Sequence, residues 1–195
     1  ANGSTLTLTG MTPADDSAVA GNYECVVTVG GSAPVSAGST VVTVHQAPSV
    51  LSGPQNRIVY TGEAFDLTVT AGSTLPLTYQ WQRNTVNLPG AVAATFSRAS
   101  AVLADGGVWT VLVTNSAGST PATARVAVIE RAPPSVHVPL GGTLTLPVNV
   151  VAPPGTTYEW RLNGVPLSAG GRVSGVNTTT LTLTGVTTAY ASGVA

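Results

Sequence analysis

Apolar and polar residues alternate with a period of two through most of this chain. Phe65, Leu67 and Val69 alternate with Asp66 and Thr68, Tyr79 and Trp81 flank Gln80, and Trp109, Val111 and Val113 are spaced by Thr110, Leu112 and Thr114. Period-two alternation places residues i, i+2 and i+4 on one face of an extended strand. Asn115-Ser116-Ala117-Gly118 reads as a hairpin turn, and Thr123–Ile129 as the strand that follows it. The same opening recurs further on, with Leu144, Leu146 and Val148 followed by Tyr158 and Trp160. A helical period of 3.6 is sustained nowhere, so the pattern predicts an all-β protein.

The alternation is organised as a repeat. Ser4–Ala20 (STLTLTGMTPADDSAVA) and Thr179–Ala195 (TTLTLTGVTTAYASGVA) align without a gap, with 11 of 17 positions identical at an offset of 175 residues. One further copy of the unit lies between them, which sets the period at about 88 residues and suits one seven-stranded sandwich. Ala47-Pro48-Ser49-Val50 recurs as Ala132-Pro133-Pro134-Ser135-Val136. Proline fixes φ and lacks an amide hydrogen, so these stretches suit stiff connections between units. The predicted organisation is residues 1–46 as the later strands (E to G) of one unit, 47–130 as a complete unit, and 131–195 as the earlier strands (A to E) of a third.

Composition sharpens the class. Charged residues are 8% of 195, aromatic residues 5% and hydrophobic residues 43%, with 22 glycines and 14 prolines. That is far below the roughly 25% charge of an average globular protein, yet apolar enough to build cores. The net charge of −1 argues against nucleic acid or anionic lipid as partner, because both demand a basic surface. No apolar run reaches the length of a membrane span, and the opening Ala-Asn-Gly-Ser-Thr-Leu is no signal peptide. All seven basic residues are arginine, so a Lys–Asn isopeptide cross-link is chemically excluded. The single cysteine, Cys25, has no partner for an internal disulfide.

Val69 to Trp81 and Val148 to Trp160 are both separations of 12 residues. This resembles the immunoglobulin fold, in which a strand-B cysteine precedes the buried strand-C tryptophan by about this interval. Gly21-Asn22-Tyr23-Glu24-Cys25 is similar to strand F with its corner tyrosine, and Asp105-Gly106-Gly107-Val108-Trp109-Thr110-Val111 to the family's Asp-x-Gly-x-Tyr-x-Cys. With the Asn-Ser-Ala-Gly turn, the chain resembles the tandem immunoglobulin-like (I-set-like) repeats of large bacterial surface or secreted proteins. The resemblance implies tandem Greek-key β-sandwiches, one complete and two truncated. It places Val69 and Val111 where an inter-sheet disulfide would be. It makes Cys25 half of such a bond with a partner upstream of residue 1, or else a buried thiol. Trp109 replaces the corner tyrosine, so the tyrosine's hydroxyl hydrogen bond is expected to be missing.

Candidate chemistry is sparse. His45 and His137 are separated by a whole unit, roughly 35–40 Å by strand geometry. Asp15-Asp16 lacks the oxygen-rich surroundings a hard cation needs and reads as a solvated loop between strands E and F. Asp105 is expected to accept hydrogen bonds or to pair with an arginine at the base of the sandwich. Cys25 has no adjacent base, no Gly-x-Ser-x-Gly elbow is present, and Gly141-Gly142-Thr143 lacks the lysine and helix of a phosphate loop. Trp81 and Trp160 could stack on sugars, but their alternation places them inside; Trp109 is also placed in the core. Asn2 and Asn177 head Asn-x-Ser/Thr sequons. No catalytic, cofactor-binding or metal-ligating residue is assigned.

The resulting expectation is a non-catalytic structural or adhesive segment of a longer extracellular bacterial protein, secreted or on the cell surface. The alternatives are a glycan- or protein-binding module and an accessory region of a secreted enzyme whose catalytic domain is expected to lie outside this segment. The half-cores predicted at the two ends (Leu6, Leu8, Tyr23 and Val27; Leu146, Val148, Trp160 and Leu183) further suggest head-to-tail self-association.

Overall fold

The computed structural model describes residues 21–42, 45–133 and 135–188. Its first element is a hairpin of β1 (Gly21–Val27) and β2 (Val35–Val42), with Tyr23 opposite Thr40 and a bulge between Glu24 and Val26. Every side chain from Glu24 to Val41 on this hairpin is exposed.

The middle unit runs through β3 (Ser49–Ser52), β4 (Arg57–Tyr60), β5 (Phe65–Thr68), β6 (Thr70–Gly72), β7 (Thr78–Arg83), β8 (Val86–Asn87), β9 (Thr95–Arg98), β10 (Gly107–Asn115) and β11 (Gly118–Ile129). One face is made by β3 on β6 and β5 on β9. Only Val69 separates β5 from β6, and its amide donates to Ala94 O at 3.0 Å, so the two form one interrupted strand. The other face runs β8–β7–β10–β11, with β4 parallel to the far end of β11. Two sheets with these crossings make the Greek-key immunoglobulin-like sandwich. Among the described residues no strand lies between β8 and β9.

The alternation read from the sequence is the alternation that packs. Along β10 every second residue, from Gly107 to Asn115, is buried. Trp81, Trp109, Leu67, Val111, Val113, Val126 and Val128 are the most deeply buried apolar side chains of this unit. Phe96, on β9, joins both tryptophans: its ring lies 4.7 Å from Trp109 and 6.2 Å from Trp81. Trp81 also organises the chain that crosses between sheets, because its indole N–H donates to Ala93 O at 2.9 Å and its backbone bonds Leu88 and Ala91.

Trp109 corrects one expectation. The corner hydrogen bond is not lost with the tyrosine, since the buried indole N–H donates to Asp105 O at 2.9 Å, four residues upstream. A ring N–H on a longer side chain reaches the carbonyl that a phenol would otherwise address.

The third unit contributes β12 (Leu144–Pro147), β13 (Val150–Val151), β14 (Arg161–Leu162), β15 (Val165–Pro166), β16 (Val173–Ser174) and β17 (Thr180–Leu183). β12 and β16 flank β17, and β14 pairs β15 through a turn at Asn163-Gly164, both with positive φ. That is the backbone a type I′ hairpin demands. Its core is small: Val176, Leu181 and Leu183, with Leu144, Leu146 and Trp160 packed against them. Here the expected strand shortens. Val148 and Tyr158–Trp160 lie outside regular strands, because among the described residues no strand pairs with the edge of 156–160 that corresponds to the β10 edge of β7.

Candidate functional site: the two junctions and an open groove

Among the described residues, the candidates for catalysis are not brought together into a site. Asp15, Asp16, Asn2, Leu6 and Leu8 lie outside the described residues. His45, His137 and Asn177 are exposed. Gly141 and Gly142 form a tight turn closed by Gly142 N–H on Pro139 O. Among the described residues no three His, Cys, Asp or Glu side chains are grouped to hold a metal, and no helix is long and apolar enough to cross a membrane. Cys25 is exposed, not buried. Strand β1 carries it at a bulge on the open hairpin, so the buried-thiol alternative is corrected.

Asp105 is structural. Its carboxylate is fully buried, accepts from Arg98 Nη2 at 2.6 Å and Arg83 Nη1 at 3.3 Å, and also takes the Val102 amide at 2.9 Å. It thereby ties the turn before β10 to the ends of β7 and β9. The sequence reading anticipated an arginine partner; the structure supplies two.

The more informative chemistry is at the ends of the middle unit. At one end the Asn115–Gly118 turn grips the incoming chain. Asn115 Nδ2 donates to Gln46 O at 2.7 Å and to Ser73 Oγ at 3.0 Å, while its Oδ1 accepts from the amides of Ala117 and Gly118. Thr120 Oγ1 donates to Pro48 O at 2.6 Å, and Pro48 is buried. A side-chain amide with all these groups engaged fixes a backbone far better than apolar contact would.

At the other end the third unit enters the middle sheet. β13 pairs antiparallel with the tail of β11, Val151 opposite Val128 and Val150 opposite Ile129. β4 holds one edge of that tail, so β13 occupies the edge that β10 vacates beyond Gly107. The Glu130 amide donates to Asn149 O at 2.8 Å, and Asn149 Nδ2 donates to Glu130 Oε2 at 2.8 Å. Arg131 pairs with Glu63 at 2.7 Å and lies 4.1 Å over the Tyr60 ring. Gly106 makes this approach sterically feasible: a Cβ there would stand 2.1 Å from Val151 O. Its φ of −62° suits any residue, so the glycine is required by proximity alone.

Beside this junction opens an apolar groove of about 530 Å³. Its lining includes Leu144, Leu146, Val148 and Trp160 together with Glu130, Arg131 and Val136. Trp160 is half-buried, whereas Trp81 is fully buried. Both indoles donate to a backbone carbonyl at 2.9 Å, so the tryptophans are anchored alike and differ in what covers them. Near the groove, the hydrogen bond from Arg161 holds the Glu159 carboxyl below the usual carboxylate range, with both groups in solvent.

No protein-family model matches the chain. Solved structures similar to it include the I-band fragment I67–I69 from titin, at 16% identity over 75% of this chain and 58% of that one, with a TM-score of 0.42. The titin tandem A164–A165 (19% identity, 74% and 85% coverage, TM-score 0.42) and Drosophila OTK extracellular domains 3–5 (20% identity, 86% and 62% coverage, TM-score 0.40) are also similar. The chain thus spans somewhat over half of the titin I-band structure it matches. The fold assignment rests on the strand pairing described above.

Proposed function

We propose that the chain is a non-catalytic segment of a tandem immunoglobulin-like array, acting as a spacer or adhesive stalk of an extracellular bacterial protein. The supporting observation is the second junction, where β13 completes the edge of β11 and the two units share backbone hydrogen bonds. A spacer has to hold successive units in a fixed relation, and a shared sheet does this directly. The clamp of Asn115 on Gln46 supports the same reading at the other end. Low charge and the absence of an acid–base constellation in the sequence favour it over catalysis by this segment itself. A protein or glycan ligand, or a second copy of the chain, is the remaining class of partner.

The junction can be tested with Gly106→Val. The branched side chain would have to displace the Val151 carbonyl, so β13 should leave β11 while both units stay folded. Hydrogen exchange on the full chain is expected to show the Glu130 amide strongly protected in the parent and at least about tenfold less protected in the variant, as for a local opening. Equal protection in the two proteins would show that the junction does not depend on this contact and would remove the main support for a fixed spacer.

A further inference from the structure

We propose that the outer edge of β9 in the middle sandwich is a docking site for an extended peptide segment of a partner protein. The segment pairs antiparallel with Thr95–Arg98 and sets a carboxylate side chain opposite Arg98. The proposal rests on reading the chain as tandem sandwich units and names a partner class for that reading.

Hydrogen bonds align the middle and third units residue by residue. The Trp81 carbonyl accepts from Leu88 and the Trp160 carbonyl from Leu167. The Trp81 amide donates to Ala91 O and the Trp160 amide to Val176 O, and the two indoles donate to Ala93 O and Thr178 O. The amides of Val69 and Val148 donate to Ala94 O and Thr179 O. Ala91 follows Leu88 by three residues, whereas Val176 follows Leu167 by nine, so the third unit holds six residues that the middle unit lacks. In that stretch lies β16, which covers the outer edge of β17 with Val173 opposite Leu183 and Ser174 opposite Thr182. The Thr184 amide continues the pairing onto Arg172 O at 2.9 Å. By the same alignment Ser97 answers to Thr182 and Arg98 to Leu183, but β9 has no strand on that edge among the described residues. The chain from Val86 to Arg98 is described without a gap, so this edge is open within the middle unit itself.

The backbone groups on the edge can be named. Hydrogen-bonded pairs alternate along an antiparallel ladder. The bond from the Val69 amide to Ala94 O makes Phe96 and Arg98 the residues bonded to β5, so the amides and carbonyls of Thr95 and Ser97 face away from it. In the third unit the Thr180 amide donates to Thr178 Oγ1, which in turn donates to Thr180 O at 2.9 Å. The equivalent residue of the middle unit is Ala93, which has no hydroxyl, so a second cover is missing too. Ala93–Ser97 contains no proline or charged residue of the kind that discourages edge pairing. A groove of about 270 Å³ is lined by Ala91, Val92, Thr95, Phe96 and Ser97, with Val92 61% exposed. An added antiparallel strand satisfies the outward donors and acceptors of both Thr95 and Ser97.

Arg98 sets what that strand should carry. Arg98 and Arg83 share the one carboxylate of Asp105, which leaves positive charge in excess. Arg98 Nε is buried and has no acceptor among the described residues. In the third unit the residue opposite Leu183 is Val173, packed against the core of that unit. On β9 the same place lies beside a guanidinium, in a non-hydrogen-bonded pair, where cross-strand side chains approach most closely. A carboxylate there makes a charge-assisted pair, and a second apolar residue does not.

The third unit supplies the probe. Residues 170–176 are made as a free peptide, with its ends blocked, and again with Val173→Asp, and each is titrated into the full chain while amide spectra are recorded. Both peptides should shift the Thr95 and Ser97 amides, and the aspartate form should bind at least about tenfold tighter, the gain of a charge-assisted pair. Ser97→Pro removes an outward amide and leaves the bonds to β5, so it should abolish binding, whereas Ser97→Thr should bind as the parent does. Arg98→Leu, which copies Leu183, should make the two peptides equal. Unmoved Thr95 and Ser97 amides at millimolar peptide, equal affinity of the two peptides for the parent, or undiminished binding to a folded Ser97→Pro would overturn the proposal. So would protection of the Ser97 amide that grows with chain concentration in the absence of peptide, the sign that two copies pair through this edge. None of these results touches the tandem-array reading, which depends on the junctions and is read separately at the Glu130 amide.

Discussion

Replacing Trp81 by alanine is expected to destabilise the middle sandwich by about 3–5 kcal/mol, the range for truncating a large, fully buried aromatic. The side chain is 0% exposed, faces Val111 across β7 and β10, and leans on Phe96. Its loss opens a cavity between the sheets and also leaves Ala93 O without the indole donor that holds the crossing segment. Trp160→Ala should cost clearly less, because half-burial means less apolar surface removed from water. Urea unfolding of the full chain, followed by tryptophan fluorescence in a Trp160→Phe background, would measure the first effect. A loss below about 1 kcal/mol for Trp81, in the range of ordinary surface changes, would contradict the strand register.

Asp105→Ala is expected to cost about 3 kcal/mol. Removing one partner of a buried ion pair typically costs about 3–5 kcal/mol; the lower end applies because the Arg83 and Arg98 side chains are 29% and 38% exposed and water can reach them. The carboxylate also holds the Val102 amide, so the turn into β10 should loosen with it. Adding Arg98→Leu to the alanine variant should recover part of the loss, since one unpaired guanidinium is then removed; a double-mutant cycle reads this coupling. Purely additive effects would mean that Asp105 acts through the turn alone.

The sequence carried the local part of this structure well. The alternation Trp109-x-Val111-x-Val113 reappears as alternating burial along β10, because a strand between two sheets has no other way to hide apolar side chains. Asp105 was legible as a hydrogen-bond acceptor or an arginine's partner, and the structure makes it both. Other features were less legible for equally physical reasons. Phe96 sits among small and polar neighbours, and its role at the centre of the aromatic cluster comes from a cross-sheet contact with no local signature. Trp109 was recognised as a corner residue, but its ring N–H was overlooked as the donor. Val150-Val151 carries no local signal of its partner. That it pairs with β11 of the preceding unit is a long-range choice, made possible by the small glycine at position 106. Cys25 is exposed on a hairpin whose side chains from Glu24 to Val41 are all exposed, and its place in the strand-F motif gave no sign of this.

The central claim is that the middle and third units are held in one fixed relation by a shared sheet. Residual dipolar couplings from a single aligned sample of the full chain test it most directly. The account predicts that amides of β5–β11 and of β12–β17 fit one common alignment tensor in the relative orientation set by the Val128–Val151 and Ile129–Val150 pairs. Two tensors of different magnitude, one for each unit, would contradict it.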